Sequence, residues 1–203
     1  MKLLNNDHWR HFIDQVNKKD VTIIYIATPF LTTKGANQII KYFNFRKGRK
    51  NKFEIKLIVN CSKLNLLTSL EDIKAPIELL MEKYDRFEVR NNVNLHAKLY
   101  LTERVAMFGS SNLTNGGMTT NKELTTLICS NTKVDKNLRE ELKDWYLDIW
   151  KHSVRMDKKY LKQMYDTNEN EINSVRNRIN KILGGRAYHL AGNQYAKLKI
   201  LFG

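Results

Sequence analysis

Apolar positions along the chain fall into two spacings, and the switches between them set out an order of helices and strands. In residues 6–18, His8, Trp9, Phe12, Ile13 and Val16 recur three and four apart, which predicts a helix with one packed face. Residues 21–28 (VTIIYIAT) form instead a continuous β-branched run, the pattern of a strand covered on both sides. A helix over 34–44 and a strand over 53–60 (FEIKLIVN) follow. The next helix, over 75–84, has Pro76 in its first turn, where a missing N–H is tolerated. Short strands are predicted at 87–90, 95–101, 105–109 and 123–130, the middle two joined by a tight turn at Thr102-Glu103-Arg104. Beyond Asn131 the spacing is helical, over 134–151, 157–165 and 169–183, and residues 184–203 turn Gly-rich and weakly patterned.

Alternating strands and helices followed by helices alone predict an α/β layered domain, a mixed sheet flanked by helices with a helical C-terminal part. The chain has 203 residues, 42% of them hydrophobic and 28% charged, which suits one globular domain with a real core and excludes a disordered chain. Residues 1–150 are expected to form that domain. Residues 151–203 read as a basic helical extension, which could lead into a further domain. Cys61 and Cys129 are too few for a disulfide framework and lack metal-ligand spacing, so both read as small buried residues. The start of the chain turns polar at Asn5-Asn6-Asp7, unlike a signal peptide, and no apolar run reaches the ~18 residues of a membrane span. A reducing cytoplasm is the expected compartment.

Charge narrows the choice of partner. Lys and Arg number 35 against 21 Asp and Glu, a net +14, which calls for an anionic partner, nucleic acid before a membrane surface. Residues 1–60 carry 12 basic and 4 acidic side chains, residues 61–150 carry 12 and 13, and residues 151–203 carry 11 and 4. The positive charge therefore sits in the flanks. Its densest run is Arg46-Lys47-Gly48-Arg49-Lys50-Asn51-Lys52, either a solvated loop or a contact to flanking backbone.

The neutral middle holds the candidate chemistry. His96 and Lys98 stand two apart on a predicted strand and so share a face, while Ala97, Leu99 and Leu101 point to the other. A lysine on so apolar a strand needs an anionic partner. The returning strand delivers Gly109-Ser110-Ser111-Asn112 beside them: a glycine that lets a ligand approach, then hydroxyl and amide donors. Cation, imidazole, hydroxyl and amide together make a site for a tetrahedral oxyanion. No Asp/Glu cluster suited to Mg²⁺ stands beside the motif, and no cofactor is called for.

His96-x-Lys98-x4-Glu103 followed by Gly109-Ser110-x-Asn112 resembles the signature of the phospholipase D superfamily, H-x-K-x4-D and then G-S-x-N. Glu103 replaces the usual Asp and falls in the turn, where a structural role is expected. Asn121-Lys122-Glu123-Leu124 resembles the segment in which an acidic residue holds the catalytic His. The resemblance spans about residues 21–150. It implies metal-free phosphoryl transfer through a phosphohistidine. His96 would be the nucleophile, oriented by Glu123, with Lys98, Asn112 and Ser110 stabilising the non-bridging oxygens. A second His protonates the leaving group in this family. His8, His11, His152 and His189 sit in no second H-x-K motif and read as surface or helix-packing residues. The chain thus holds half a site, which a homodimer would complete across its two-fold axis.

The single motif and small size resemble the homodimeric nucleases and restriction endonucleases of the superfamily, so an endonuclease acting on nucleic acid, DNA before RNA, is the leading expectation. A phospholipid-headgroup phosphodiesterase or transferase is the alternative enzyme, and a non-catalytic nucleic-acid-binding module of the same fold is the third class.

Overall fold

The computed structural model describes residues 1–4, 7–17, 21–43, 54–62, 65–66, 73–129 and 132–182. The basic run at 46–52 and the Gly-rich end at 184–203 lie outside the described residues. The elements in chain order are β1 (Lys2–Leu4), α1 (His8–Val16), β2 (Ile23–Ala27), α2 (Thr33–Phe43), β3 (Glu54–Val59), α3 (Lys74–Lys83) and β4 (Phe87–Asn91). They continue with β5 (Leu99–Thr102), β6 (Val105–Gly109), a π-helical turn (Gly116–Thr120), β7 (Thr125–Cys129), α4 (Lys133–Lys151), β8 (Val154–Met156) and α5 (Lys158–Ile182).

The described strands form one eight-stranded sheet in the order β1-β7-β6-β5-β2-β3-β4-β8. Strands β2, β3 and β4 run parallel and every other pairing is antiparallel, so the sheet is mixed as expected. Its two faces explain the continuous apolar runs. On β2, Ile24 and Ile26 enter a core shared with Trp9 and Phe12 of α1, Ile39 of α2, Ile77 of α3 and Leu161 of α5. Tyr25 and Ala27 point the other way and pack with Tyr146 and Trp150 of α4. A strand buried on both sides cannot show polar alternation. Tyr146 also donates to the Lys56 carbonyl at 2.7 Å, and the Arg90 guanidinium lies 4.5 Å from the centre of the Trp150 ring, which ties α4 to its face of the sheet.

Four details differ from the sequence reading. The strand expected over 95–101 begins only at Leu99, so His96 and Lys98 lie on the approach to β5, not in its ladder. The two helices expected at 157–165 and 169–183 are one, running through Thr167 and Asn168, whose side chains bond back to the carbonyls of Gln163 and Met164. Edge strands β1 and β8 went unread, as three residues are too short to carry a period. Strand β8 pairs with β4, and Leu161 and Ile172 of α5 join the main core, so residues 154–172 pack with the sheet. Both cysteines are free, and burial pushes the Cys61 thiol up to about 12. Among the described residues no helix is long and apolar enough to cross a membrane.

Candidate active site

The site builds up at the edge of the sheet where β2 and β3 end and β5 begins. Asn60, just past β3, donates from its amide to the carbonyls of Val93 (2.9 Å) and Leu95 (3.0 Å). Leu95 is buried, and the chain then runs outward through His96 before Leu99 is buried again. Alternation carries through this approach: Ala97 packs with the α4-side cluster, while Tyr100 packs with Trp9 and Phe12 on the α1 side. His96 and Lys98 share the parity of Tyr100 and so belong to the α1 side.

The β5–β6 hairpin then returns the second half of the motif, with the Gly109 N–H donating to the Lys98 carbonyl at 3.3 Å. Gly109 permits this junction. Its φ is +154°, and a Cβ there would stand 2.2 Å from the Leu124 carbonyl oxygen. Ser110 is gripped from the residues just before β7: its hydroxyl donates to the Glu123 carboxylate and accepts from the Leu124 N–H at 3.0 Å.

Ser111, the residue of Gly109-Ser110-x-Asn112 that the motif leaves free, points inward and anchors the loop. Its hydroxyl accepts from Trp9 Nε1 (3.0 Å) and donates to the Gly117 carbonyl (2.6 Å), and its own carbonyl accepts from the Tyr100 hydroxyl (2.9 Å). His8 Nε2 lies 3.1 Å from both the Gly117 carbonyl and the Ser111 hydroxyl. Only a donor suits the carbonyl, so Nε2 carries the proton. Gly117 in turn lies against Asn112, whose carbonyl oxygen would be 2.4 Å from a Cβ. Leu113 is fastened to the loop after β2, its N–H donating to the Thr28 hydroxyl (3.2 Å) and its carbonyl accepting from Thr32 N–H (3.2 Å). Asn112 is thereby fixed from both sides.

Charge at the site is sparse and placed. Lys98 is half-buried; its ammonium donates to the His96 carbonyl at 2.9 Å and has no ion-pair partner among the described residues. Burial lowers its pKa, with Glu123 working the other way. Glu123 is itself buried. Its carboxylate, expected to hold the His96 ring, takes bonds from Ser110 and from Asn121 Nδ2 (3.2 Å). The His96 ring is exposed and makes no hydrogen bond among the described residues. The Asn112 Oδ1 atom is buried without a partner. An exposed imidazole beside a half-buried cation is suited to an anion entering from solvent, and the Ser110 hydroxyl, expected as a donor there, is instead committed to Glu123.

Two expectations meet the structure differently. Glu103 does lie in the turn, at the opposite edge of the sheet from His96. One carboxylate oxygen accepts from Thr22 N (2.9 Å), Thr22 Oγ1 (2.6 Å) and Ile23 N (3.1 Å), which pins the turn to the start of β2. Of the two roles expected for the remaining histidines, His8 takes the helix-packing one. It is buried and bonded into the Ser111 loop, and burial lowers its pKa against the opposing pull of the Gly117 carbonyl, Glu123 and Asp7. Sequence reasoning also missed Asn60, Trp9 and Tyr100, whose contacts to the motif segment span 11 to 102 positions. Their only signal was a polar group on an otherwise apolar helix face or strand.

The fold resembles two solved structures. One is that of Nuc, a phospholipase D family member from Salmonella typhimurium: 18% identity, TM-score 0.57, covering 77% of this chain and 95% of that one. The other is NucT from Helicobacter pylori: 13% identity, TM-score 0.52, covering 76% and 98%. No curated protein matches the sequence. The family model described as cardiolipin synthase, PLD-like domain, matches residues 13–146, a stretch that contains β2 through β7 and the whole His96–Glu123 segment. The chain belongs to that phospholipase D-like family of phosphodiesterases.

Proposed function

We propose that the chain is a metal-independent endonuclease that cleaves nucleic acid, DNA before RNA, through a phosphohistidine at His96. The observation that supports this reading is an exposed His96 beside half-buried Lys98, whose ammonium bonds the His96 carbonyl, at the hairpin end that leads into Ser110 and Asn112. Lys98 and the Asn112 amide offer an incoming phosphodiester one cation and one neutral donor without a bound cation, while the Ser110 hydroxyl proton is taken up by Glu123. His96 attacks phosphorus through a neutral ring nitrogen, and the bond from phosphorus to the leaving oxygen breaks. The role proposed for Glu123 is to accept from the other ring nitrogen, a bond the His96 ring does not make in this structure; each carboxylate oxygen retains a free lone pair beyond its bonds to Ser110 and Asn121. Lys98 and Asn112 take the charge that gathers on the non-bridging oxygens; Ser110, expected to help, instead donates to Glu123 and fixes that carboxylate. The leaving oxygen takes a proton from the partner's His96 across a two-fold axis. Water then attacks the phosphohistidine, gives its proton back to that second imidazole, and the P–N bond breaks. The net charge of +14 favours a polyanionic substrate.

The test is incubation with plasmid, single-stranded DNA, RNA and phosphatidyl-lipid vesicles, each in excess EDTA. Cleavage of nucleic acid with intact lipid is expected. Lipid turnover alone, or activity that vanishes on chelation and returns with Mg²⁺, would overturn the reading.

A further inference from the structure

The motif Gly109-Ser110-x-Asn112 leaves its third position open, and this chain uses that position as an anchor. Ser111 is fully buried. Its hydroxyl is saturated: the proton goes to the Gly117 carbonyl (2.6 Å), and the lone pairs face Trp9 Nε1 (3.0 Å) and His8 Nε2 (3.1 Å). The Gly117 carbonyl is saturated as well, taking the Ser111 proton and the His8 Nε2–H at 3.1 Å. The four residues close into one buried polar knot.

His8 and Trp9 belong to the first turn of α1, and that turn touches both halves of the motif. On the β5 half, the Trp9 ring stands edge-on to Tyr100, two positions after Lys98, with 4.6 Å between ring centres. Tyr100 in turn donates from its hydroxyl to the Ser111 carbonyl at 2.9 Å. On the other half, Gly117 lies so close to Asn112 that a Cβ would stand 2.8 Å from its N and 2.4 Å from its O. Whatever holds the Gly117 peptide therefore holds the backbone of Asn112. The knot carries a cost, because His8 Nδ1 is buried with no partner. An apolar side chain at position 8 would fill the same space without an orphaned acceptor. Among the described residues Nε2 bonds only Ser111 and Gly117, so the reason for a histidine here lies with that loop.

We propose that His8 is a positioning residue for the phosphodiester chemistry. It acts through Gly117 on Asn112, while Trp9 locks the same loop to the strand that follows Lys98. The proposal rests on the reading of Lys98 and Asn112 as the phosphate contacts. His8 touches no substrate; it keeps the Asn112 amide in register with Lys98, so that both reach the same phosphate.

A double-mutant cycle on bis(4-nitrophenyl) phosphate tests this, with rates taken per folded molecule. His8→Leu fills the space of the ring, and the Gly117 carbonyl keeps its bond from Ser111, so the chain should fold with an unchanged circular dichroism spectrum. Its kcat should fall about tenfold or more with KM little changed, the mark of a contact misplaced in the transition state. His8→Gln returns an amide N–H to the Gly117 carbonyl and should recover most of that loss. On an Asn112→Ala background, His8→Leu should cost less than about twofold more, because the two residues act as one unit. Trp9→Phe keeps a ring on Tyr100 and removes the Nε1 donor, and it runs the same cycle should His8→Leu not fold. Wild-type rates in His8→Leu, equal losses in His8→Leu and His8→Gln, or losses that multiply in the double variant would overturn the proposal.

Binding of orthovanadate, followed by the chemical shift of the Asn112 side-chain amide, reads the same geometry without turnover. Vanadium takes a fifth ligand as phosphorus does in the transition state, so affinity should drop about tenfold in His8→Leu and return in His8→Gln. Equal vanadate affinity in all three proteins, or none in any, would also overturn the proposal. The expected vanadate pattern in a protein that cleaves neither bis(4-nitrophenyl) phosphate nor nucleic acid would keep the positioning role and remove the nuclease reading. Cleavage of nucleic acid with multiplying losses would do the reverse.

Discussion

Lys98 is a cation held where water is scarce, and that placement sets a measurable limit on activity. Burial lowers the pKa of its ammonium, and Glu123 offsets this only in part. The proton therefore leaves at a lower pH than from a free lysine. If the charge stabilises the non-bridging oxygens, kcat/KM should fall on the alkaline side before the ordinary lysine range of about 10.4 is reached. Lys98→Arg keeps its charge throughout that range but presents a planar fork in place of a point charge. Its rate should be lower, and its alkaline limb should move to higher pH. A pH–rate profile of the two proteins checks this, and superimposable alkaline limbs would separate Lys98 from the reaction. The common side taken by His96 and Lys98 was legible in the sequence because it depends only on positions two apart. The partners of His8 were not. Those partners, Ser111 and Gly117, lie 103 and 109 positions away, and a histidine on a helix carries no local sign of them.

Among the elements, the β5–β6 hairpin places Ser110 and Asn112, and Glu103 fixes its far end to β2 through three bonds to a single oxygen. Removing that carboxylate strands two backbone N–H groups at the start of β2. Glu103→Ala is expected to cost about 1–2 kcal/mol of stability, as for lost hydrogen bonds to a partly exposed charged acceptor. The rate per folded molecule should stay near wild type, because Glu103 lies at the opposite edge of the sheet from His96. Thermal denaturation with active-site titration separates the two effects, and a rate loss without a stability loss would make Glu103 part of the chemistry. The expectation of a structural role was available from sequence, since Thr102-Glu103-Arg104 reads as a turn. The central strands β2, β3, β5, β6 and β7 were legible for a related reason: burial on both faces leaves unbroken apolar runs. The three-residue strands β1 and β8 hold too few positions to show any period. The π-helical turn at Gly116–Thr120 sits between glycines and threonines that suit a plain loop equally well, and only its packing under Asn112 and against His8 makes it a defined element.

For the molecule as a whole, one copy supplies one exposed imidazole next to Lys98, while the proposed reaction uses two. Subunit mixing tests this. With free exchange, adding His96→Ala chains to wild type should lower hydrolysis as the square of the wild-type fraction, because each mixed dimer lacks either nucleophile or acid. A linear decline would mean that each chain carries a complete site. The central claim is narrower still, that the His96 nitrogen forms a bond to phosphorus. A single turnover of 5′- or 3′-labelled oligonucleotide, quenched in denaturant and followed by intact-protein and peptide mass analysis, examines that bond directly. The expected result is a nucleotidyl or phosphoryl adduct on His96 that is stable to alkali, lost in acid, and absent from His96→Ala. Product formation with no adduct at any quench time, or an adduct on another residue, would contradict it.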